Sequence, residues 1–503
     1  MGCRGLPAPC YIPHVRELVR NNPRFFFWTA LAGLALRLIF LFLNPQVTDD
    51  SRIYADIANN WLVHGIYGVT DAARIVPTYI RLPGYPAFLA VVFAIFGKDN
   101  FRAVLLIQVL IDLGTCFLIG DLAWRTALAT GPDSHDKTAG VARIAILLSA
   151  VCPFFANYAA AALTETLEIF FTVLALDFAV IGLNGIFGDS GRRFHVRPWA
   201  ACGLSIAAAI LLRPDGGILL IAIDAYLAFL LTRSLWERLR HRQDSPLVPG
   251  RFFYAAVLLT LVALAPLIPW TVRNLHTLHR FQPLSPRYAN NPGDYVPVGF
   301  NRWVKTWIAD YVSVQEVYWQ VPGEEIDFSK LPSRALDTVD QEQRTREILN
   351  RYNERKDIDQ DLDRQFAGLA EQRIQSAPLR YYVWLPLVRI ADMWLRPRTE
   401  LTQADPRWWE FNDDLKYSVL SVAFGLINLL YVGLARAGLR RQYLTRWAAL
   451  LIFFIVLRSA FLGTLENPET RYTLECYPVL IVLATEGLRF LHVFDFKSEY
   501  VNP

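Results

Sequence analysis

Charge is scarce in this chain. Asp, Glu, Lys and Arg make up 19% of 503 residues, while 53% are hydrophobic and 13% aromatic. A soluble protein of this length would carry more charge and less apolar weight. The net charge of +4 is small, and no nucleic-acid partner is expected. Cysteine is also sparse, with Cys3, Cys10, Cys116, Cys152, Cys202 and Cys476 as the full set. No pair has CxxC spacing, the last four lie in or beside apolar runs, and the largest polar segment has none. This argues against a disulfide framework or a zinc–cysteine site. Internal repeats and low-complexity tracts are absent. No small-residue cleavage site follows the first apolar run, so a retained anchor is expected there rather than a signal peptide. Leu6 stands where myristoylation requires Ser or Thr, which excludes that reading of Met1-Gly2-Cys3.

What is abundant is apolar sequence long enough to cross a hydrocarbon core, which needs roughly 20 helical residues. The first run covers 25–43 and is apolar apart from Arg37. Further candidates are 101–122, 141–158, 163–183, 198–213, 216–232, 252–271, 415–436, 447–462 and 474–491, about ten spans in all. Basic residues orient them. Arg4, Arg16, Arg20 and Arg24 precede the first span. Arg192, Arg193 and Arg197 fall in one loop, and Arg233, Arg238, Arg240, Arg242 and Arg251 in another. Arg440, Arg441 and Arg446 fall in a third. With a cytoplasmic N-terminus and ten alternating spans, all these loops lie inside. The expected fold class is an all-α polytopic membrane protein. It divides into a cytoplasmic N-terminus (1–24), a transmembrane module (25–271), an extracytoplasmic region (272–414), C-terminal transmembrane helices (415–492) and a cytoplasmic tail (493–503).

Two segments are too short or too polar to cross. Arg81-Leu82-Pro83-Gly84-Tyr85-Pro86 leads into an apolar run of only about 15 residues. We read it as re-entrant or interfacial. The segment 381–395, with Trp384, Arg389 and Trp394, suits a helix at the interface. In the polar region, Ile358, Leu362, Phe366 and Leu369 recur at helical spacing and predict an amphipathic helix.

The unusual polar residues converge on the outer side of this topology. Asp49 and Asp50 follow the first span. Glu165 begins its span at the outer end. Arg213-Pro214-Asp215-Gly216 breaks two spans at an outer turn, and Pro269-Trp270-Thr271-Val272-Arg273-Asn274 is the outer exit of the seventh. Glu466 and Arg471-Tyr472 occupy the last outer loop. Each also has a plain structural reading. Aspartates favour helix N-caps, Arg213 suits a turn with a snorkelling side chain, and Glu165 suits a solvated span end. Trp270 suits the interfacial belt, and Arg273 and Arg471 suit interfacial arginines. Within the spans, charges are costly and usually paired. An Arg37–Asp112 pair is expected, with Asp177 and Asp224 toward the cytoplasmic ends.

The motifs, in this order, resemble the polytopic glycosyltransferases of the C superfamily (GT-C). The bacterial branch in question is related to protein O-mannosyltransferases and the aminoarabinose transferase of lipid A. The likeness rests on Asp50-Ser51-Arg52-Ile53-Tyr54, Ala58-Asn59-Asn60 and Gly65, then Arg81-Leu82-Pro83-Gly84-Tyr85-Pro86, Thr164-Glu165 and Arg213-Pro214. Pro269-Trp270-Thr271-Val272-Arg273-Asn274 and Arg471-Tyr472 with Pro478 complete it. It runs from about 25 to 490. The resemblance implies a GT-C-like helix bundle with interfacial helices in the first outer loop and a small extracytoplasmic region. It implies a sugar donor linked to a polyprenyl phosphate and Asp50 as catalytic base. The family's frequent Asp-Glu pair is altered: Ser51 follows Asp50, and the extra acid, Asp49, precedes it. Some relatives bind a divalent metal here. No His-containing counterpart is evident, so no metal ligand is assigned; no cofactor is firmly implied, and a divalent metal stands only as what the family likeness allows.

That chemistry sets the expected roles. An acceptor hydroxyl (or amine) needs a carboxylate within hydrogen-bond reach, hence Asp50 with Asp49 as helper. A leaving phosphate needs arginine, hence Arg273 and Arg471, with Arg213 third. Glu165 orients the sugar or an arginine, and Tyr54, Tyr85, Asn274 and Tyr472 line the substrates. The expectation is a hexosyl- or pentosyltransferase of the plasma (inner) membrane, facing outward and surrounded by membrane lipid. It would serve cell-envelope glycan, lipopolysaccharide or glycoprotein synthesis, with a lipid, glycan or protein acceptor. The rival class is a transporter or flippase of a lipid-linked or polar solute. That class favours polar groups across the midplane and inverted repeats. This chain gathers its polar clusters on one face.

Overall fold

A computed structural model of the chain describes residues 14–128, 135–188, 194–240, 248–412, 415–440 and 447–490. Cys3, Cys10, Arg4, Arg192, Arg193, Arg242, Arg441, Arg446 and the tail 493–503 lie outside the described residues. The chain divides into two units. The first holds residues up to 291 with 431–455 and 475 onward, and the second holds 292–430 and 456–474.

The first unit opens with α1 (His14–Asn21) and α2 (Pro23–Leu43). Pro23 suits the first turn of α2, where its missing N–H costs nothing. Next comes α3 (Asp49–His64), ended by Gly65 in the left-handed conformation at φ 68°. A hairpin follows: β1 (Gly68–Asp71) pairs antiparallel with β2 (Arg74–Pro77), with Val69 opposite Val76. Its turn residues Ala72 and Ala73 both have positive φ. Then come α4 (Gly84–Phe96), α5 (Phe101–Leu128), α6 (His135–Ala150), α7 (Pro153–Ala159), α8 (Glu165–Gly188), α9 (Val196–Leu212), α10 (Gly217–Leu239), α11 (Pro249–Leu264) and α12 (Leu267–Leu278).

The second unit carries α13 (Val298–Lys305), the single turn α14 (Tyr311–Ser313), α15 (Val339–Arg355), α16 (Gln360–Ser376) and α17 (Leu385–Leu395). Its core joins Phe300, Trp303 and Trp307 to Leu362, Phe366 and Leu369 of α16, with Ile358 just before that helix. The amphipathic stripe therefore packs as its spacing predicts. Asp359 caps α16 by accepting from the Leu362 amide at 2.8 Å. The unit boundaries then fall within α18 (Leu415–Leu439) and α19 (Ala448–Gly463), and α20 (Tyr477–Phe490) returns to the first unit.

The protein is a multi-pass membrane protein. Among the described residues, six helices are long and apolar enough to cross, or seven if the pair 138–150 and 153–159, bent by 53°, counts as one. Ten spans were expected from sequence; the other expected spans are shorter or broken helices. The expected span 141–158 is that bent pair, broken before Pro153. The expected spans 198–213 and 447–462 are helices of 17 and 16 residues, and 474–491 is a 14-residue helix entered through a 3-10 segment. Arg213-Pro214 stops α9, and a turn at Thr464 follows α19. At 13 residues, α4 is about 20 Å long, short of a roughly 30 Å core.

The bundle interior accommodates its charges by pairing. Arg37 donates from Nε to Asp112 at 2.7 Å. Its other four donors reach the carbonyls of Gly33, Ala150 and Ser149 and the sulfur of Cys116. The pair is the one expected from sequence. Arg125 similarly lies between Asp121 at 2.6 Å and Asp177 at 3.0 Å.

Candidate functional site

The segment before α3 decides where the two aspartates go. Thr48 accepts from the Ser51 amide, and Ser51 Oγ accepts from the Thr48 amide at 3.0 Å. Thr48 is therefore the N-cap in a reciprocal capping box, and the aspartates occupy the first turn. This corrects the reading in which an aspartate is itself the cap. Both acids still gain from the helix dipole, but they face different ways. The Asp49 side chain is 96% exposed and, among the described residues, pairs with Arg52 of its own helix at 3.4 Å. Asp50 Oδ1 accepts from Arg81 Nη2 at 2.7 Å and is 35% exposed.

Two backbone contacts fix the neighbours of Asp50. Gln46 and Ala161 form a parallel bridge: the Gln46 amide donates to Ala160 at 2.9 Å, and the Ala162 amide donates to Gln46 at 3.0 Å. That ties the approach to α3 to the approach to α8, which begins at Glu165. Gly84 is the second contact. A Cβ there would lie 2.6 Å from the Leu211 carbonyl oxygen, so only glycine lets α4 meet the end of α9 this closely. Arg81 precedes that junction, and Arg213 follows it.

Arg213 sits among three carboxylates. Its Nη1 is 3.3 Å from Glu165 and 3.9 Å from Glu475, and its Nε is 3.1 Å from Asp215. Glu165 and Glu475 are buried. Tyr54 senses Arg81, Asp50, Arg213 and Glu165 together. Burial pushes its phenol up to about 12, with the arginines pulling down and the acids adding to the rise. It therefore remains a neutral hydroxyl at physiological pH. Its ring meets Tyr85 edge-on at 5.0 Å. The Tyr85 hydroxyl donates to Gln108 at 2.8 Å, and Gln108 donates to the Ala161 carbonyl at 2.7 Å.

Arg273 borders this cluster through Tyr67. It donates to the carbonyls of Thr78 at 2.7 Å and Tyr67 at 2.5 Å, and to Asn274 Oδ1 at 2.9 Å. Asn274 in turn donates to the Gln282 carbonyl at 2.7 Å. The Tyr67 hydroxyl donates to the Arg81 carbonyl at 2.9 Å. The hairpin thus links Arg81 to Arg273.

The first unit therefore brings together Asp50, Tyr54, Tyr85, Glu165 and Arg213, with Arg273 and Asn274 alongside. Asp49 is turned to solvent. Arg471 and Tyr472 belong to the second unit, where both contact Glu469 at 2.6 Å. Three participants were not singled out from sequence: Arg81, Gln108 and Glu475. An arginine just before a Pro-Gly helix start, and an acid entering an apolar run, are the signals that could have found the first and last.

The residues present do not fit a divalent metal. The three carboxylates gather around a guanidinium, which occupies the place a cation would take. Among the described residues no group of three or more His, Cys, Asp or Glu side chains is arranged to hold one.

Residues 77–270 match the family model described as dolichyl-phosphate-mannose-protein mannosyltransferase, which bears out the likeness to the GT-C superfamily read from the sequence. No curated protein matches the chain. Among solved structures, it is similar to the Archaeoglobus fulgidus oligosaccharyltransferase AglB in complex with an inhibitory peptide and a dolichol-phosphate. Identity is 14% and the TM-score 0.48, over 95% of this chain and 50% of that one. It is also similar to ArnT from Cupriavidus metallidurans bound to undecaprenyl phosphate, at 15% identity and TM-score 0.39, over 92% and 77%. The chain spans about half the length of the oligosaccharyltransferase structures it matches.

Proposed function

We propose that this multi-pass membrane protein, which carries the mannosyltransferase-family segment at 77–270, is a glycosyltransferase. It moves a hexose or pentose from a polyprenyl-phosphate donor to an acceptor hydroxyl or amine on a lipid, glycan or protein. The observation that carries the reading is the cluster around Tyr54. There a half-exposed carboxylate, Asp50, is oriented by Arg81 and backed by the Arg213–Glu165 pair. The distribution of basic loops supports an extracytoplasmic site in the plasma (inner) membrane.

In this mechanism Asp50 takes the proton from the acceptor hydroxyl as its oxygen bonds to the anomeric carbon. The bond from that carbon to the phosphate oxygen breaks, and its electron pair leaves with the lipid phosphate. Arg273, already oriented by three hydrogen bonds, meets the developing charge. Arg213, held by Glu165 and Asp215, shapes the sugar side of the site, with Tyr54 and Tyr85 as its wall.

The deciding experiment incubates the purified protein in lipid with labelled polyprenyl-phosphate sugars and envelope acceptors. Transfer by the wild-type chain, reduced ~10²- to 10⁴-fold in Asp50→Asn, is the expected result. Near-normal turnover in that variant would end the assignment of Asp50. Release of intact donor across the membrane without transfer would favour a flippase.

A further inference from the structure

A second concave site lies wholly within the second unit, in residues unrelated to the cluster around Asp50. It is a cleft of about 630 Å³ near α14, the end of α17 and the segment 407–409. Pockets of this size hold small organic ligands. Its walls include Asp310, Arg334, Asp392, Arg396, Trp408 and Trp409. The charge pattern narrows the occupant. Arg334 is paired with Asp310 and donates to Ser313 at 3.0 Å. Arg396 donates to the Pro406 carbonyl at 2.5 Å and lies 3.9 Å from Asp392. Arg407, also in the wall, grips both oxygens of Glu316 at 2.9 and 2.8 Å. Lys330, the fourth cation of the wall, lies 3.9 Å from Glu316, and Arg407 also meets Glu410 at 3.5 Å. The four cations are thus matched by Asp310, Asp392, Glu316 and Glu410, so no excess positive charge is reserved for an anion. The guanidinium groups disfavour a metal ion. So many ionisable groups disfavour a purely apolar ligand.

What this lining suits is a neutral molecule dense in hydroxyls that also has an apolar face. Paired arginines and carboxylates offer fixed donors and acceptors at short spacing. Trp409 leaves 46% of its surface exposed, a flat apolar body for C–H groups. The indole N–H of Trp408 is buried with no hydrogen-bond partner among the described residues, an unusual state for such a group. The two indoles meet edge-on at 5.7 Å, and Arg396 lies 5.8 Å from the Trp409 ring.

We propose that this cleft is a binding site for a neutral saccharide, one to three sugar units of a glycan, distinct from the transfer site. Its binding is read without donor or turnover, so it stands or falls apart from the proposed transferase activity.

The test is calorimetric titration of the full-length protein in lipid nanodiscs. The probes are mannotriose, maltotriose, cellotriose and arabinotriose, with trigalacturonate and a Ser/Thr-rich heptapeptide as contrasts. At least one neutral trisaccharide is expected to bind. Trp409→Ala is expected to weaken it ~10-fold or more, with the melting temperature unchanged. Asp50→Asn should bind it as the wild-type chain does. The proposal is overturned if none of the neutral trisaccharides binds at roughly 5 mM. It is equally overturned if only trigalacturonate or only the peptide binds, or if Trp409→Ala binds as the wild-type chain does. A Trp409→Phe variant keeps a flat ring and should retain most of the affinity, which separates stacking from general damage.

Discussion

Two arginine–aspartate pairs in the first unit have the same 2.7 Å contact and opposite surroundings. Arg37 and Asp112 lie inside the helix bundle, at 0% and 2% side-chain exposure. All five Arg37 donors have partners, so nothing is left for a substrate. Arg81 and Asp50 sit at 19% and 35%, open to a ligand. The distance alone does not separate a buried pair from one that could meet a substrate. Access to a ligand does.

This contrast can be broken by mutation. The largest stability effect belongs to Asp112→Ala, which strands a buried guanidinium. A loss of ~3–5 kcal/mol is expected, seen as a steep fall in melting temperature in detergent. Asp50→Ala should cost within ~1 kcal/mol in the same assay, while transfer is expected to fall as in Asp50→Asn. Equal losses in the two variants would erase the distinction. Gly84→Ala comes next. Its new methyl group meets the Leu211 carbonyl, and ~1–3 kcal/mol is expected. Transfer should fall with it, because the α4–α9 junction places Arg81 and Arg213.

Asp392 is an intermediate case in the second unit. It accepts from the Tyr311 amide at 3.0 Å, but its arginine is 3.9 Å away. Burial pushes its carboxyl up to about 6, against the pull of Arg396. A carboxyl raised in the folded state favours folding when protonated. Stability should therefore decline as pH rises from about 4 to about 6. Asp392→Asn should remove that decline, a gain of about 2–3 kcal/mol above pH ~6 and none at pH ~4, read by unfolding at the two pH values. A gain equal at both would refute the burial argument. The smallest effect is expected for Asp49→Asn. With its side chain 96% exposed, both stability and transfer should stay within ~0.5 kcal/mol of wild type. A loss of transfer matching that of Asp50→Asn would show that the two acids act together.

Much of this was legible before the structure. Long apolar runs predicted the membrane helices, Arg37 and Asp112 were expected to pair, and Ile358, Leu362, Phe366 and Leu369 predicted a buried stripe. The motifs around Asp50, Glu165 and Arg213 pointed to one cluster. Legibility failed where a contact depends on two distant segments. Glu475 approaches Arg213 from 262 positions along the chain, and no local pattern announces that. Helix ends were less legible: α9, α19 and α20 are apolar but bounded by Arg213, Gly463 and the 3-10 segment before Tyr477.

The sequence by itself determined that this is a helical membrane protein with acids and arginines at its span ends. Those properties follow from hydropathy and period, which every short window carries. Only the tertiary structure decided which of two adjacent acids faces the cluster. Thr48 caps α3, which turns Asp49 to solvent and Asp50 toward Arg81. The helical rotation of about 100° between neighbouring residues separates their surroundings. What each then meets is set by α4, α8 and α9, brought there by the Gln46–Ala161 bridge and the bare backbone of Gly84.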